Sequence, residues 1–141
     1  MSAEENKASV RRMVEEGINR GNLSVVDELV TPDAVEHDAP PGTDAREHYK
    51  EIITMLHTAF PDLHFALEDM VAEGDRVACR ISMTGTHRGP FMGLPPSGKR
   101  FTAQQIRIIR FVDGKTAETW SLRDDLAIMQ QLGALPEPAR T

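Results

Sequence analysis

The apolar pattern of this chain changes period at Pro61. Before it, hydrophobic side chains recur every three or four residues; after it, they alternate. Residues 3–20 carry Val10, Met13, Val14 and Ile18 on one helical stripe, which Gly21-Asn22 closes. Ser24–Leu29 forms a shorter helix, broken at Thr31-Pro32, and residues 33–44 read as an extended piece running into a Pro/Gly turn. Thr43 is the expected N-cap of a third helix, with Tyr49, Ile52, Ile53, Leu56 and Phe60 on one face. Strands follow at Leu63–Ala72, 76–86, 100–112 and 115–124, with turns at Glu73-Gly74-Asp75 and Asp113-Gly114. In the second strand Val77, Cys79, Ile81 and Met83 alternate with Arg76, Arg80, Ser82 and Thr84. Asp125–Leu132 is a short helix ended by Gly133, and the Pro-rich end, 134–141, is expected to fray. Helices first and a meander after give an α+β fold in one domain, 1–141, with an ordered core of about 3–135.

Bulk properties narrow the function. A net charge of −6 leans away from nucleic acid and from anionic membrane surfaces, both of which select basic patches. The single cysteine, Cys79, has no disulfide partner, and no C-x-x-C or paired-His motif offers a zinc site. There is no apolar leader and no apolar run long enough to span a bilayer, so a cytoplasmic protein is expected.

The last hairpin bears on the site. With a three-residue loop, Val112-Asp113-Gly114, Ile106 faces Trp120, Ile108 faces Glu118, Gln104 faces Leu122 and Thr102 faces Asp124. That register collects Gln105, Arg107, Lys115, Thr119, Ser121 and Arg123 on one side, nearly all polar, which is taken as the solvent side. Gln104, Arg110, Glu118 and Asp124 then point inward with Ile106, Ile108, Trp120 and Leu122. Inward polar groups are costly unless paired or functional. Arg110 and Glu118 suit an ion pair. Asp124 has no cation nearby on that face, which marks it as a candidate acid–base group, although Asp124 or Asp125 would also serve as the N-cap of the helix that follows.

Residues 87–100, HRGPFMGLPPSGKR, hold three Gly and three Pro around a Phe91–Met92 pair. Such a stiff, partly apolar segment is expected to be the rim of a pocket, with His87 at its start.

Taken in order, VEHDAPPG, AFPDLHF, AEGDRVACR, TGTHRGPFMGLPPSGK, RFVDGKTAETW and DDLAIMQQLG resemble the signature stretches of the SnoaL-like polyketide cyclases. The resemblance runs from about residue 5 to 135. It implies the cone-shaped, curved mixed/antiparallel sheet of the nuclear transport factor 2-like superfamily, wrapped around a pocket with three N-terminal helices on its concave side. It also implies one Asp in a W-x-x-x-D stretch as general acid/base for an aldol-type ring closure, here Asp124. A neighbouring cavity histidine would be replaced by Arg110, and the early family histidine is His37. No cofactor is implied, and family members often pair through the open sheet face, so a homodimer is expected.

The resulting picture is a cofactor-independent cyclase or isomerase acting on a hydrophobic, carbonyl-bearing small molecule. Asp124, Arg110 and His37 are its candidate catalytic residues. Trp120, Gln104, Ile106, Ile108, Met83, His87, Phe91, Met92 and Glu118 are the candidate binding residues. Two other readings share the fold. An epoxide hydrolase would use Arg110 between Asp124 and Glu118, although Arg110 and Asp124 should lie beyond ~12 Å apart at strand rise. A non-catalytic binding module would keep the pocket and not depend on the Asp124 carboxyl.

Overall fold

The computed structural model describes residues 2–135; the expected fraying of the Pro-rich end falls largely on 136–141, outside the described residues. Helix α1, Ala3–Arg12, starts at Ser2, whose hydroxyl accepts from the Glu5 N–H at 3.1 Å. Glu4 and Glu5 in its first turn and Arg11 and Arg12 in its last suit the helix dipole. The helix continues in π-helical turns over Met13–Asn19, with Met13, Val14 and Ile18 buried as the stripe required. Helix α2 is Ser24–Leu29, strand β1 is Val30–Glu36 and helix α3 is Ala45–Ala59. Asp44, not Thr43, caps α3, taking the Glu47 N–H on its carboxylate, while the Thr43 hydroxyl turns back to the Pro40 carbonyl.

Strands β2 (His64–Glu73), β3 (Arg76–Thr86), β4 (Arg100–Val112) and β5 (Lys115–Arg123) form an antiparallel meander, and β1 joins β5 in parallel. The sheet order is β1-β5-β4-β3-β2, an unclosed five-stranded sheet with the helices against one side. Helix α4, Asp125–Gln131, closes the described chain. Among the described residues no helix is long and apolar enough to cross a membrane.

The β4–β5 register corrects the expected one. Asp113 and Gly114 both have positive φ, 51° and 77°, as in a two-residue I′ turn, so Val112 pairs with Lys115. An irregularity beyond Phe111 then shifts the ladder, and Arg110 pairs with Glu118, Ile108 with Trp120 and Ile106 with Leu122. The shift from expectation is two residues, one full side-chain period. Ile106, Ile108, Trp120, Leu122, Arg110, Glu118 and Gln104 therefore do share a face, but it is the open one: Leu122 is 81% and Ile106 56% exposed. The face turned to the helices carries Phe101, Ala103, Arg107, Ile109 and Phe111, opposite Val77, Cys79, Ile81 and Met83 of β3. The four buried apolar residues at the two ends of β4 outweigh the two isoleucines in its middle, and they set the phase.

The 87–100 segment also differs from its expected role. Arg88 and Gly89 both donate their N–H to the Ala59 carbonyl at the end of α3, at 2.9 and 3.0 Å. Phe91 and His87 are buried beside Phe60, and Phe91–Leu94 closes a tight turn through Met92 and Gly93, both at positive φ. The loop plugs one end of the core. Its Phe91 is a core side chain, and Met92, the other half of the expected rim, is 55% exposed.

Candidate functional site

Between α3 and the helix-facing side of the sheet lies a cavity of about 370 Å³. Its apolar wall is built by Ile52, Ile53 and Leu56 of α3 with Ile18 and Phe65. Its polar wall comes from three strands and two helices: Glu36 and Asp38 at and beyond the end of β1, Gln105 and Arg107 in the middle of β4, Ser121 and Arg123 near the end of β5, His48 and Tyr49 on α3, and Asp125 at the start of α4.

Glu36 is the last residue of β1, placed by its parallel pairing with Thr119. Its carboxylate is only 8% exposed and lies 3.1 Å from His48 Nδ1. Burial pushes the carboxyl above the usual glutamate range, and the His48 hydrogen bond opposes part of that rise. His48 shares the helical face of Ala45 and Ile52, at spacings of three and four, which turns it toward β1.

Arg107 enters from β4, where it pairs with Cys79 on one side and Ser121 on the other. It is 6% exposed. Its Nη2 donates to the Tyr49 hydroxyl, and its guanidinium carbon lies 5.3 Å from the centre of that ring. Burial pushes the Tyr49 hydroxyl up, so it remains a phenol at neutral pH. Beside them Gln105 donates to the Ser121 hydroxyl at 2.8 Å.

The residues expected from the sequence lie elsewhere. Asp124 caps α4, accepting the Ala127 N–H at 3.1 Å, and is absent from the cavity wall, while its neighbours Arg123 and Asp125 line it. Arg110, Glu118, His37 and Trp120 do come together, but on the open sheet face. Glu118 bridges His37 Nε2 at 2.6 Å and Arg110 at 2.7 Å, and hydrogen bonds from those two hold its carboxyl below the usual range. The His37 ring stacks on Trp120 with centroids 4.8 Å apart, and Arg76 lies over the same indole. Gln104, Ile106 and Ile108 share that face and are exposed. Met83, His87 and Phe91 are core residues, Met83 under the helices and the other two beneath the 87–100 loop. None of these lines the cavity. For the strand residues Gln104, Ile106, Ile108, Arg110, Glu118 and Trp120 the cause is the reversed sheet face, which turns them away from α3.

Comparison with known proteins agrees with the motifs. The family model for SnoaL-like polyketide cyclases matches residues 8–132. The aklanonic acid methyl ester cyclase DnrD of Streptomyces peucetius is 34% identical over 130 residues, covering 88% of each chain. The crystal structure of AclR from Streptomyces galilaeus, whose proposed activity is hydroxylation, superposes with a TM-score of 0.86 at 35% identity, covering 99% of this chain and 87% of that one. IdmH of Streptomyces antibioticus, proposed to be a polyketide cyclase, does so at 0.79 and 36%, covering 91% and 98%. The chain belongs to the SnoaL-like polyketide cyclase family.

Proposed function

We propose that this SnoaL-like cyclase works without a cofactor, closing a ring by an intramolecular aldol reaction in a hydrophobic, carbonyl-bearing polyketide held in the cavity. Glu36 is its general acid–base, with His48 sharing the proton. The reading is carried by one observation: a desolvated carboxyl, hydrogen-bonded to an imidazole, at the wall of a cavity whose opposite side is apolar.

The chemistry asks little more of the protein. Glu36 takes a proton from a carbon between two carbonyls, whose electron withdrawal makes that carbon acidic. The enolate carbon attacks a ketone elsewhere in the same molecule, a carbon–carbon bond forms, and the new alkoxide recovers the proton from the Glu36–His48 pair. Product and substrate are isomers. A carboxyl raised toward neutral pH suits both proton transfers, and such catalysis contributes about 10²–10⁴-fold. Ile52, Ile53, Leu56 and Phe65 offer a flat ring system an apolar wall.

The test is incubation with aklanonic acid methyl ester, the substrate named for DnrD, followed by chromatography and mass spectrometry. The reading expects a new product of unchanged mass. A product heavier by one oxygen would replace it with the hydroxylation proposed for AclR.

We propose further that the open sheet face meets a second copy of the chain. Val35, Ile106, Ile108 and Leu122 are exposed together around Trp120, more apolar surface than a lone sheet face usually leaves in water. Sedimentation should give a dimer for the wild type and a monomer for Leu122→Glu with Ile106→Glu. A monomeric wild type would refute this.

A further inference from the structure

Arg107 is 6% exposed, yet among the described residues its guanidinium forms no ion pair with any carboxylate. Nη2 donates to the Tyr49 hydroxyl, and Nε is buried with no hydrogen-bond partner. Tyr49 accepts that bond, and its own hydroxyl proton has no acceptor among the described residues. A guanidinium carries five N–H donors and no acceptor, and a phenol carries one donor. Arg107 Nε and the Tyr49 hydroxyl proton are thus donors left without an acceptor, side by side at the cavity. Of the three carboxylates at the wall, Glu36 is held by His48 and Asp125 by Arg123, and none of the three, Asp38 included, pairs with Arg107 among the described residues. Burying a cation without its counter-charge is expensive, and chains retain such an arrangement where something else supplies the charge.

We propose that Arg107 and Tyr49 form an oxyanion site in the cavity, filled by a delocalised anionic oxygen of the ligand, a carboxylate or an enolate. The inference rests on the cavity being the ligand site and deepens that reading by naming the charge the ligand brings. The planar guanidinium matches a two-oxygen anion, and charge-assisted hydrogen bonds of this kind are the strong ones. The cation–π contact with the Tyr49 ring keeps the guanidinium in place when the cavity is empty. An enolate formed beside Glu36 would be stabilised at the same donors, and a ligand carrying a free carboxylate would be oriented by them.

The experiment uses three flat probes and the whole protein at pH 7.5, followed by titration calorimetry: naphthalene-2-carboxylate, its neutral methyl ester, and the enolate of indane-1,3-dione. At least one anion should bind about tenfold or more tightly than the ester. Arg107→Gln should remove that preference and leave the ester within about twofold, and Tyr49→Phe should weaken the anion several-fold. Preference for the naphthoate identifies a carboxylate-bearing ligand; preference for the indanedione alone identifies an enolate formed in place. The proposal is overturned if the ester binds as well as both anions, if no probe binds at millimolar concentration, or if Arg107→Gln keeps the preference. Should Arg107→Gln fail to fold, Arg107→Lys decides in its place: it keeps the charge but loses the fork, so the anion preference must fall several-fold, and an unchanged preference refutes the site. Failure of the cyclase reading is separately visible. Aklanonic acid methyl ester would then go unconverted while the anion preference and its Arg107 dependence stood.

Discussion

Gly89→Ala tests the role assigned to the 87–100 loop. A Cβ at this position would lie 2.2 Å from the Thr58 carbonyl oxygen, where real Cβ atoms essentially never come closer than 3.0 Å. The obstacle is backbone at the end of α3, so the loop must retreat by roughly 1 Å rather than have a side chain rotate aside. That retreat breaks the Arg88 and Gly89 N–H bonds to Ala59, at 2.9 and 3.0 Å, each worth about 1 kcal/mol. It also loosens Phe91 against Phe60, and overpacking of this kind adds roughly 1–3 kcal/mol. Replacing glycine by alanine stiffens the unfolded chain and returns about 0.4–1 kcal/mol, since Gly89 is not held at positive φ. The net loss is about 2–5 kcal/mol, which for a domain of this size lowers Tm by roughly 6–17 °C. Urea and thermal unfolding measure it. A loss below about 0.5 kcal/mol would show that the loop does not depend on its seat on α3, and the argument that it is a core plug would fail.

Other expectations are quick to check. Asp124→Ala should cost about 1 kcal/mol through loss of the α4 cap, with Asp124→Asn nearly neutral because asparagine caps as well. Glu36 acts on stability with the sign opposite to an ordinary paired carboxylate. Its folded-state carboxyl is raised by burial, so it favours the folded protein below the usual glutamate range of about 4.5, and that contribution is lost as pH rises through the raised value. Denaturation across pH should therefore show Glu36→Gln gaining on the wild type as pH climbs from about 4 toward neutrality; a constant difference would refute the burial argument. For Glu118, held low by His37 and Arg110, the sign reverses: its contribution is present above the usual range and lost as pH falls through the lowered value. Glu118→Gln should accordingly flatten the acid limb of the stability curve.

The elements were legible because local signals agree with one another. The Val10–Ile18 stripe, the glycine stops and the alternation of Val77, Cys79, Ile81 and Met83 all point to structures that formed there. The middle of β4, where Ile106 and Ile108 flank Arg107, points to the opposite sheet face from the one the structure buries. Extending the same parity to the strand ends sets Phe101, Ala103, Ile109 and Phe111 against Thr102, Gln104 and Val112, and that comparison turns Arg107 inward from sequence alone. Arg107 also looked too polar for a core, and only the fold shows Tyr49 waiting across from it. The Glu36–His48 pair is harder to find. The two lie twelve residues apart, and they meet because β1 lies parallel to β5 with α3 alongside, a long-range arrangement without a local signature. His48 did carry one hint, its place on the Ala45–Ile52 side of the helix. At Asp124 the family motif and the inward face expected from a three-residue hairpin loop agree, while its plainer role as a helix cap is equally visible in Asp124-Asp125 before an apolar run.

The central claim is that proton transfer in the cavity belongs to Glu36 and not to Asp124. Single-turnover rates with aklanonic acid methyl ester, measured for the wild type, Glu36→Gln and Asp124→Asn, test it most directly. The account expects Glu36→Gln to be slower by about 10²–10⁴-fold and Asp124→Asn to stay within a few-fold of the wild type. The reverse order, with Asp124→Asn crippled and Glu36→Gln active, would contradict it and return the chemistry to the end of β5.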